Sequence, residues 1–294
     1  MDISIILQVL ISGVVLGSIY ALVSIGLTLI WGVMNFINFA SGQLTMIGMY
    51  ISFLVVASGL DPLLGLTIST LTLFALGLII EKTIVVPILK APRLFQIVIT
   101  LALALALENS ISVIFGNEIL SIPKMGSMQF LSNVVTIGPV RISIVKLLVI
   151  PVALTLTLSL HWFLTRTRVG TGIRAISQNP YGALLAGVNT SKTYFLTWGL
   201  GCAFMGMAGA LLALFRPMYP TVGGEFVLVA FFAVTLGGAG SYVGSFISAI
   251  FIGVVEALAG FYFVPAIRSV IYICLFVAIL IFRPRGLFPT REVG

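Results

Sequence analysis

Residues 3–60 read ISIILQVLISGVVLGSIYALVSIGLTLIWGVMNFINFASGQLTMIGMYISFLVVASGL, and no Asp, Glu, Lys or Arg interrupts them. A helix crossing the hydrocarbon core of a bilayer needs about 20 mostly apolar residues, so this stretch holds two crossings. Its Ile, Leu, Val, Phe and Ala run continuously rather than alternating, which suits helices and argues against an outer-membrane barrel. Charge-free stretches recur at 62–80, 147–165, 193–215, 226–255 and 269–282. The 294 residues are 60% hydrophobic and 8% charged, whereas soluble domains carry about a quarter charged residues. Too little polar surface is left to face water. The expected fold is all-α: a polytopic transmembrane helix bundle forming one domain over residues 1–294.

Spans are expected at Ile5–Ile30, Asn35–Ala57, Pro62–Ile80, Leu94–Gly116, Ile144–Thr165, Thr193–Phe215, Glu225–Gly237, Ser241–Gly260 and Pro265–Phe282. That gives eight or nine crossings, some short or broken. Glu225–Gly237 is too short for a full crossing, and the polar Asn35–Gln43 stretch is a candidate unwound lead-in to its helix. Such breaks are tolerated only where protein or a wet cavity surrounds them. Met1-Asp2 lacks the basic region of a removable signal peptide and the apolar run continues too far, so a retained first span is expected.

Positive charge concentrates in short cytoplasmic loops. One set of connections carries Lys82, Lys90 and Arg93, then Arg166, Arg168, Arg174 and Lys192, then Arg283, Arg285 and Arg291. The opposite set carries Lys124, Arg141, Lys146, Arg216 and Arg268 over a longer total length. The first set is therefore cytoplasmic, with the N-terminus outside and the C-terminus inside. The net charge of +7 finds its explanation there. The basic residues are not clustered with interleaved aromatics, and no nucleic-acid partner is expected.

Small residues let membrane helices approach closely. Gly13 with Gly17, Gly240 with Gly244, the run Ser245, Ala249 and Gly253, and Gly206 with Ala210 form such ridges. Packing within one subunit is the expected use of each. Cys202 and Cys274 lie in apolar segments without metal or disulfide spacing and read as small buried residues.

Polar groups inside apolar spans are costly unless they find partners or a cavity. Asn35, Asn38, Ser41 and Gln43 place four uncharged polar side chains within nine residues. They mark the inside of the bundle and are candidates to line a translocation pathway. Glu108, beside Asn109 in an otherwise apolar span, is either a pathway group or proton carrier, or a packing group bonded to neighbouring Ser and Asn side chains. Glu256 lies nearer a span end, where a structural role is expected. Glu225 follows Gly223-Gly224 at a helix start, where a carboxylate suits the dipole. His161 beside Trp162 reads as an interfacial anchor.

Residues 165–192 are too polar to insert and too patterned to be a linker. Asn179 suits a helix N-cap and Pro180 the first helical position. Leu184, Leu185 and Val188 share a face at the 3.6-residue period, and Gly187 or Asn189 ends the helix. The apolar face of so short a surface helix is covered either by lipid and its own spans or by the groove of a cytoplasmic partner.

This segment resembles the coupling loop of bacterial ABC importer permeases of the branched-chain amino-acid (LivH-type) family. The resemblance extends along nearly the whole chain. Leu16-Gly-Ser-Ile-Tyr-Ala-Leu22 and Gly26-Leu-Thr-Leu29 are similar to that family's first span. Asn35-Phe-Ile-Asn-Phe-Ala-Ser-Gly-Gln43 is similar to its "NFAHG(D/E)" stretch, Leu236-Gly-Gly-Ala-Gly-Ser241 with Gly244 to a further block, and Arg283-Pro-Arg-Gly-Leu-Phe288 to its ending. The resemblance implies a multi-pass protein of the bacterial inner membrane, embedded in its lipid bilayer. It implies a pathway shared with a second permease subunit (a homologue or a copy), two cytoplasmic ATP-binding subunits and an extracytoplasmic solute-binding protein. On that reading Leu184 and Leu185 are the plugs of the coupling helix, and Arg174 touches the ATPase or membrane phosphates. Ser41 stands where the family has His and Gln43 where it has an acid. Branched-chain or other apolar amino acids are the expected solutes, with urea or short amides as the alternative.

No G-x-x-x-x-G-K-[ST] phosphate loop occurs, so ATP hydrolysis is expected in a partner. No cofactor, metal cluster or nucleophile–histidine–carboxylate set is expected either, which leaves nothing to support a membrane-embedded enzyme. A gradient-driven secondary transporter using Glu108 and Glu256 is the competing class. Such carriers tend to show paired repeats, and only a faint glycine-block similarity links the first span with residues 231–248.

Overall fold

The computed structural model describes residues 3–122, 133–137, 140–263, 265–283 and 286–288. Met1, Asp2, Lys124, Pro284, Arg285 and Arg291, invoked above, lie outside them. Eleven α-helices are labelled in chain order among the described residues: α1 (Ile3–Met34), α2 (Ser41–Ala57), α3 (Pro62–Ile80), α4 (Arg93–Phe115), α5 (Ile144–Arg166), α6 (Arg168–Gln178), α7 (Pro180–Leu185), α8 (Thr190–Ala213), α9 (Gly223–Gly237), α10 (Tyr242–Tyr262) and α11 (Pro265–Phe282). Each of the nine expected apolar segments is a helix. Seven are long and apolar enough to cross a bilayer, α2 is a shorter apolar helix, and α11 has 18 residues.

Local chemistry sets the boundaries. Asp61 accepts the amide of Leu63 at 2.8 Å and Pro62 opens α3, satisfying one orphan donor while filling the position that needs none. Beyond Ile80 the helix widens into a π-turn, Glu81–Val85, before Val86–Ile88. Pro87 has no N–H to donate to residue 83, and the wider turn accommodates that loss. The Gln96 side chain then donates to the Ile88, Leu89 and Ala91 carbonyls at 3.3, 3.0 and 3.0 Å, joining this end to α4.

Helix α1 forms the axis of the bundle, buried almost continuously from Val15 to Ile30. Its Gly13 and Gly17 lie against α10, where a Cβ added at Gly17 would sit 2.6 Å from the Cα of Ile250. Gly253 meets the backbone of Gly17 from the other side. The two small-residue ridges therefore face one another within one subunit. Gly240 corrects that reading in part. It has φ 85° and precedes the N-cap Ser241, so it belongs to a turn and shares no helical ridge with Gly244. Across the bundle, the Ser69 hydroxyl donates to the carbonyls of Gly48 and Gly206 at 3.0 and 3.1 Å, pinning α2, α3 and α8 together.

Aromatic pairs give the level of α9. Tyr20 meets Phe226 and Trp31 meets Phe231, with ring centroids 6.3 and 5.5 Å apart. Helix α9 thus runs parallel to α1 but begins opposite its middle. With the turn Pro220–Val222 before it, the segment Pro220–Gly237 has 18 residues and is long enough to cross, which corrects the expectation drawn from Glu225–Gly237 alone. Two features lay outside the sequence expectation. Strands β1 (Val134–Ile137) and β2 (Val140–Ser143) form an antiparallel hairpin between α4 and α5, and Leu120 pairs with Met218 through both backbone bonds, at 2.9 and 2.8 Å. Cys274 is exposed while Cys202 is buried. The terminal helix α11 packs on α9 and α10 alone to any extent, leaving much of its circumference outward.

Candidate functional site

Helix α1 ends at Met34, and Asn35 turns the chain with φ 49°, a left-handed conformation Asn tolerates better than most residues. Asn35 itself is exposed, whereas Asn38, Ser41 and Gln43 are buried. The four polar residues read together from the sequence are therefore split, with three inside. Asn38 accepts the amide of Ala40 at 2.9 Å, an Asx turn that leads into α2 without a helical backbone. Residues 35–40 are the unwound lead-in, and α2 begins at Ser41.

Here the first turn of α2 abuts the first turn of α9. A Cβ at Gly42 would strike the carbonyl of Gly223, so only glycine lets the two helix starts meet at this distance. Two positive helix ends converge there. Glu108 of α4 approaches from the side, its Oε2 accepting from Gln43 Nε2 at 3.4 Å. Asn109 and Ser110 bond instead to carbonyls of their own helix. The partner of Glu108 is thus an amide from another helix rather than a Ser or Asn side chain. Sequence could not identify it, because Gln43 and Glu108 meet only through the packing of α4 on α2.

The Asn38 Nδ2, Ser41 Oγ and Gln43 Oε1 atoms are buried without a hydrogen-bond partner among the described residues, as are Thr197 Oγ1 and Trp198 Nε1 on α8. Trp198 stands edge-on to Phe36, 5.4 Å between centroids. A buried polar atom without a partner costs about 1–3 kcal/mol; Tyr50 Oη, Ser52 Oγ and Ser248 Oγ are in the same condition elsewhere in the bundle. Thr197 and Trp198 lay outside the sequence reading; an indole in an apolar helix gave no signal. Glu256, by contrast, accepts the Tyr20 hydroxyl at 2.7 Å and is buried between α1 and α10, which suits a structural role. Glu225 is in the first turn of α9, as expected, and is also 3.8 Å from Arg216. It accepts the Tyr219 hydroxyl at 2.6 Å. That bond, with partial burial, raises the Tyr219 phenol above its usual range, while Arg216 pulls it down.

The second candidate surface is the α6–α7 hairpin, in which α6 is helical where the sequence predicts a loop. Thr167 caps α6 through the amide of Gly170 at 3.0 Å, and Ile173 and Ile176 of α6 are buried. Asn179 caps α7 through the amide of Gly182 at 2.9 Å, with Pro180 in the first turn. At its end the amides of Gly187 and Val188 donate to the carbonyls of Leu184 and Ala183, both at 3.0 Å. That paired closure needs a left-handed residue after the cap, and Gly187 has φ 83°. Val188 consequently lies beyond the helix, half-buried beside Gly172, and does not share the face of Leu184 and Leu185 as the periodicity suggested. Tyr181 takes its place: Tyr181, Leu184 and Leu185 are 71%, 54% and 73% exposed. Their i, i+3, i+4 spacing puts them on one face. Arg174 is also exposed, on α6.

Comparison with known proteins adds to this geometry. The family model described as branched-chain amino acid transport system / permease component matches residues 9–280. The high-affinity branched-chain amino acid transport system permease protein LivH of Salmonella typhimurium is 30% identical over 98% of this chain and 96% of its own length. The corresponding permease protein BraD of Pseudomonas aeruginosa is 30% identical over 98% and 97%. A probable branched-chain amino acid transport permease protein LivH of Methanocaldococcus jannaschii is 28% identical over 95% and 91%. No solved structure matches the chain. A bundle of apolar helices, a broken polar lead-in at its centre and a match over nearly the whole length all agree: the chain belongs to the family of permease components of branched-chain amino acid transport systems.

Proposed function

We propose that this multi-pass membrane protein forms, with a second permease subunit, the solute pathway of an ATP-driven importer for branched-chain or other apolar amino acids. Two cytoplasmic ATP-binding subunits supply the energy, and an extracytoplasmic binding protein delivers the solute. The N-terminus is outside and the C-terminus cytoplasmic. The observation that carries this reading is the α7 tip, where Tyr181, Leu184 and Leu185 stand exposed on a helix capped at both ends. Closure of the ATPases would push on these side chains, and α6, buried through Ile173 and Ile176, would pass the motion to the spans. Arg174 adds a cation for the ATPase surface or for membrane phosphates. Asn38, Ser41, Gln43 and Glu108 line the pathway, with Asn35 at its exposed rim.

Co-purification from native membranes in mild detergent tests the assembly. An ATPase recovered in equal number to the permease subunits supports it, and the second permease is identified in the same preparation. Repeated recovery of this chain alone overturns it in favour of a gradient-driven carrier. For the pathway, Ser41→His and Gln43→Glu are the informative changes. The latter sets a second carboxylate beside Glu108, and two carboxylates sharing a site disfavour full ionisation. Uptake rate or solute preference should change in both variants when transport of leucine and of a short amide is compared. Wild-type transport in both would return these residues to a packing role.

A further inference from the structure

Helices α3, α5 and α8 enclose an apolar groove of about 400 Å³, walled by Thr70 of α3, Leu160 and Phe163 of α5, and Ala203 and Phe204 of α8. Its hydroxyls are turned back to their own helices: Thr70 donates to the Leu66 carbonyl at 2.7 Å and Ser159 to that of Leu156 at 2.8 Å. What remains on the walls is hydrocarbon and aromatic surface, suited to an alkyl chain and to nothing polar.

The charge at one end of the groove selects the kind of alkyl chain. Helices α3 and α8 are antiparallel, with Ser69 beside Gly206 and Gly77 beside Cys202, so α3 ends on the side where α8 begins. Helix α5 ends on that side too, because only the surface helices α6 and α7 separate it from α8. Each wall carries an exposed cation toward that side: Lys82 in the π-turn of the helix that runs from Pro62 to Ile88, Arg166 in the last turn of α5, and Lys192 in the first turn of α8. Trp162, one turn before Arg166, borders the groove and is exposed, the placement of an aromatic at the headgroup level.

We propose that the groove is a specific site for an anionic phospholipid, with one acyl chain between α5 and α8 and the phosphate held by Lys82, Arg166 and Lys192. Basic side chains between transmembrane helices favour anionic headgroups, and a bound chain fills a gap that no helix among the described residues covers. The site would hold α5, and with it α6 and α7, against the rest of the bundle. It does not depend on the solute assigned above.

The test uses the full chain purified with its partners from native membranes, with retained phospholipids extracted and quantified by mass spectrometry per mole of protein. The wild type should retain about one anionic phospholipid per chain, in excess over phosphatidylethanolamine relative to the membrane. Each charge removed should lower anionic retention about fivefold, so K82Q/R166Q/K192Q should lose the selectivity. A203F, which fills the groove, should lose the retained lipid of both classes. Unchanged anionic retention in the triple variant, or no enrichment over phosphatidylethanolamine in the wild type, overturns the proposal. The three cations are exposed, so the triple variant is the arm that decides if A203F does not accumulate. An unchanged lipid profile with normal ATPase recovery would sink the lipid site and leave the importer assignment standing.

Discussion

Leu184→Asp with Leu185→Asp abolishes ATP-driven uptake while the protein still accumulates in the membrane: that is the expected result of the most direct test of coupling. Both side chains are mostly exposed in the isolated subunit, so folding does not depend on them. The caps of α7 use Asn179, Gly182 and Gly187 and the backbone, all left intact. Docked in a groove, each leucine contributes about 2 kcal/mol through burial. Losing both lowers affinity about a thousandfold, and two buried carboxylates add a desolvation cost. Co-purification of the ATPase should fall with uptake. Alanine at both positions should give an intermediate loss, because only the burial is removed. Unchanged uptake in the double Asp variant would reject the docking role.

The second large effect concerns the contact between α1 and α10. A Cβ at Gly253 meets the backbone nitrogen and Cα of Gly17, atoms that no side-chain rotation can move. Gly253→Val must therefore push the axis helix away from its main neighbour. Overpacking in a well-packed core costs about 1–3 kcal/mol, and more where backbone is struck. The same shift would disturb the Tyr20–Glu256 and Thr28–Ser245 pairs, both at 2.7 Å. We expect little folded protein in the membrane and a sharp fall in thermal midpoint in detergent. Gly224→Val is the control, since a Cβ at Gly224 meets nothing within 4 Å. Its accumulation and midpoint should stay near wild type. Equal behaviour of the two variants would show that the close α1–α10 approach is not required.

The contrast between those two glycines shows where sequence reading ends. Gly13, Gly17 and Gly253 were recognisable as members of small-residue ridges, because regular spacing on a helix is a local property. Gly42 and Gly223 belong to no such ridge, and their contact follows from α9 beginning beside the start of α2. Gln43 and Glu108 were each singled out as costly polar groups in apolar surroundings. Their meeting depends on how α4 leans on α2, a choice made by many weak contacts rather than by any spacing.

The surface hairpin divides in the same way. Asn179, Pro180 and Gly187 set the ends of α7 through interactions within a few residues, and their chemistry was readable in order along the chain. Val188 leaves the face that the hydrophobic period assigns it because Gly187 stops the helix first. The amphipathic α6, with its buried isoleucines, opens on Thr167 without the Asn-Pro pair that marks α7.

The order of residues was enough for the bilayer as solvent, the apolar helices, their approximate ends and the family resemblance. Each of these rests on composition or on contacts between near neighbours, which the order of residues carries directly. Packing between distant residues settles which polar side chains are inside and which carboxylate has which partner. Those facts join residues far apart in the chain, and in a membrane they are set by close packing and small-residue contacts rather than by hydrophobic patterning, which marks every span alike.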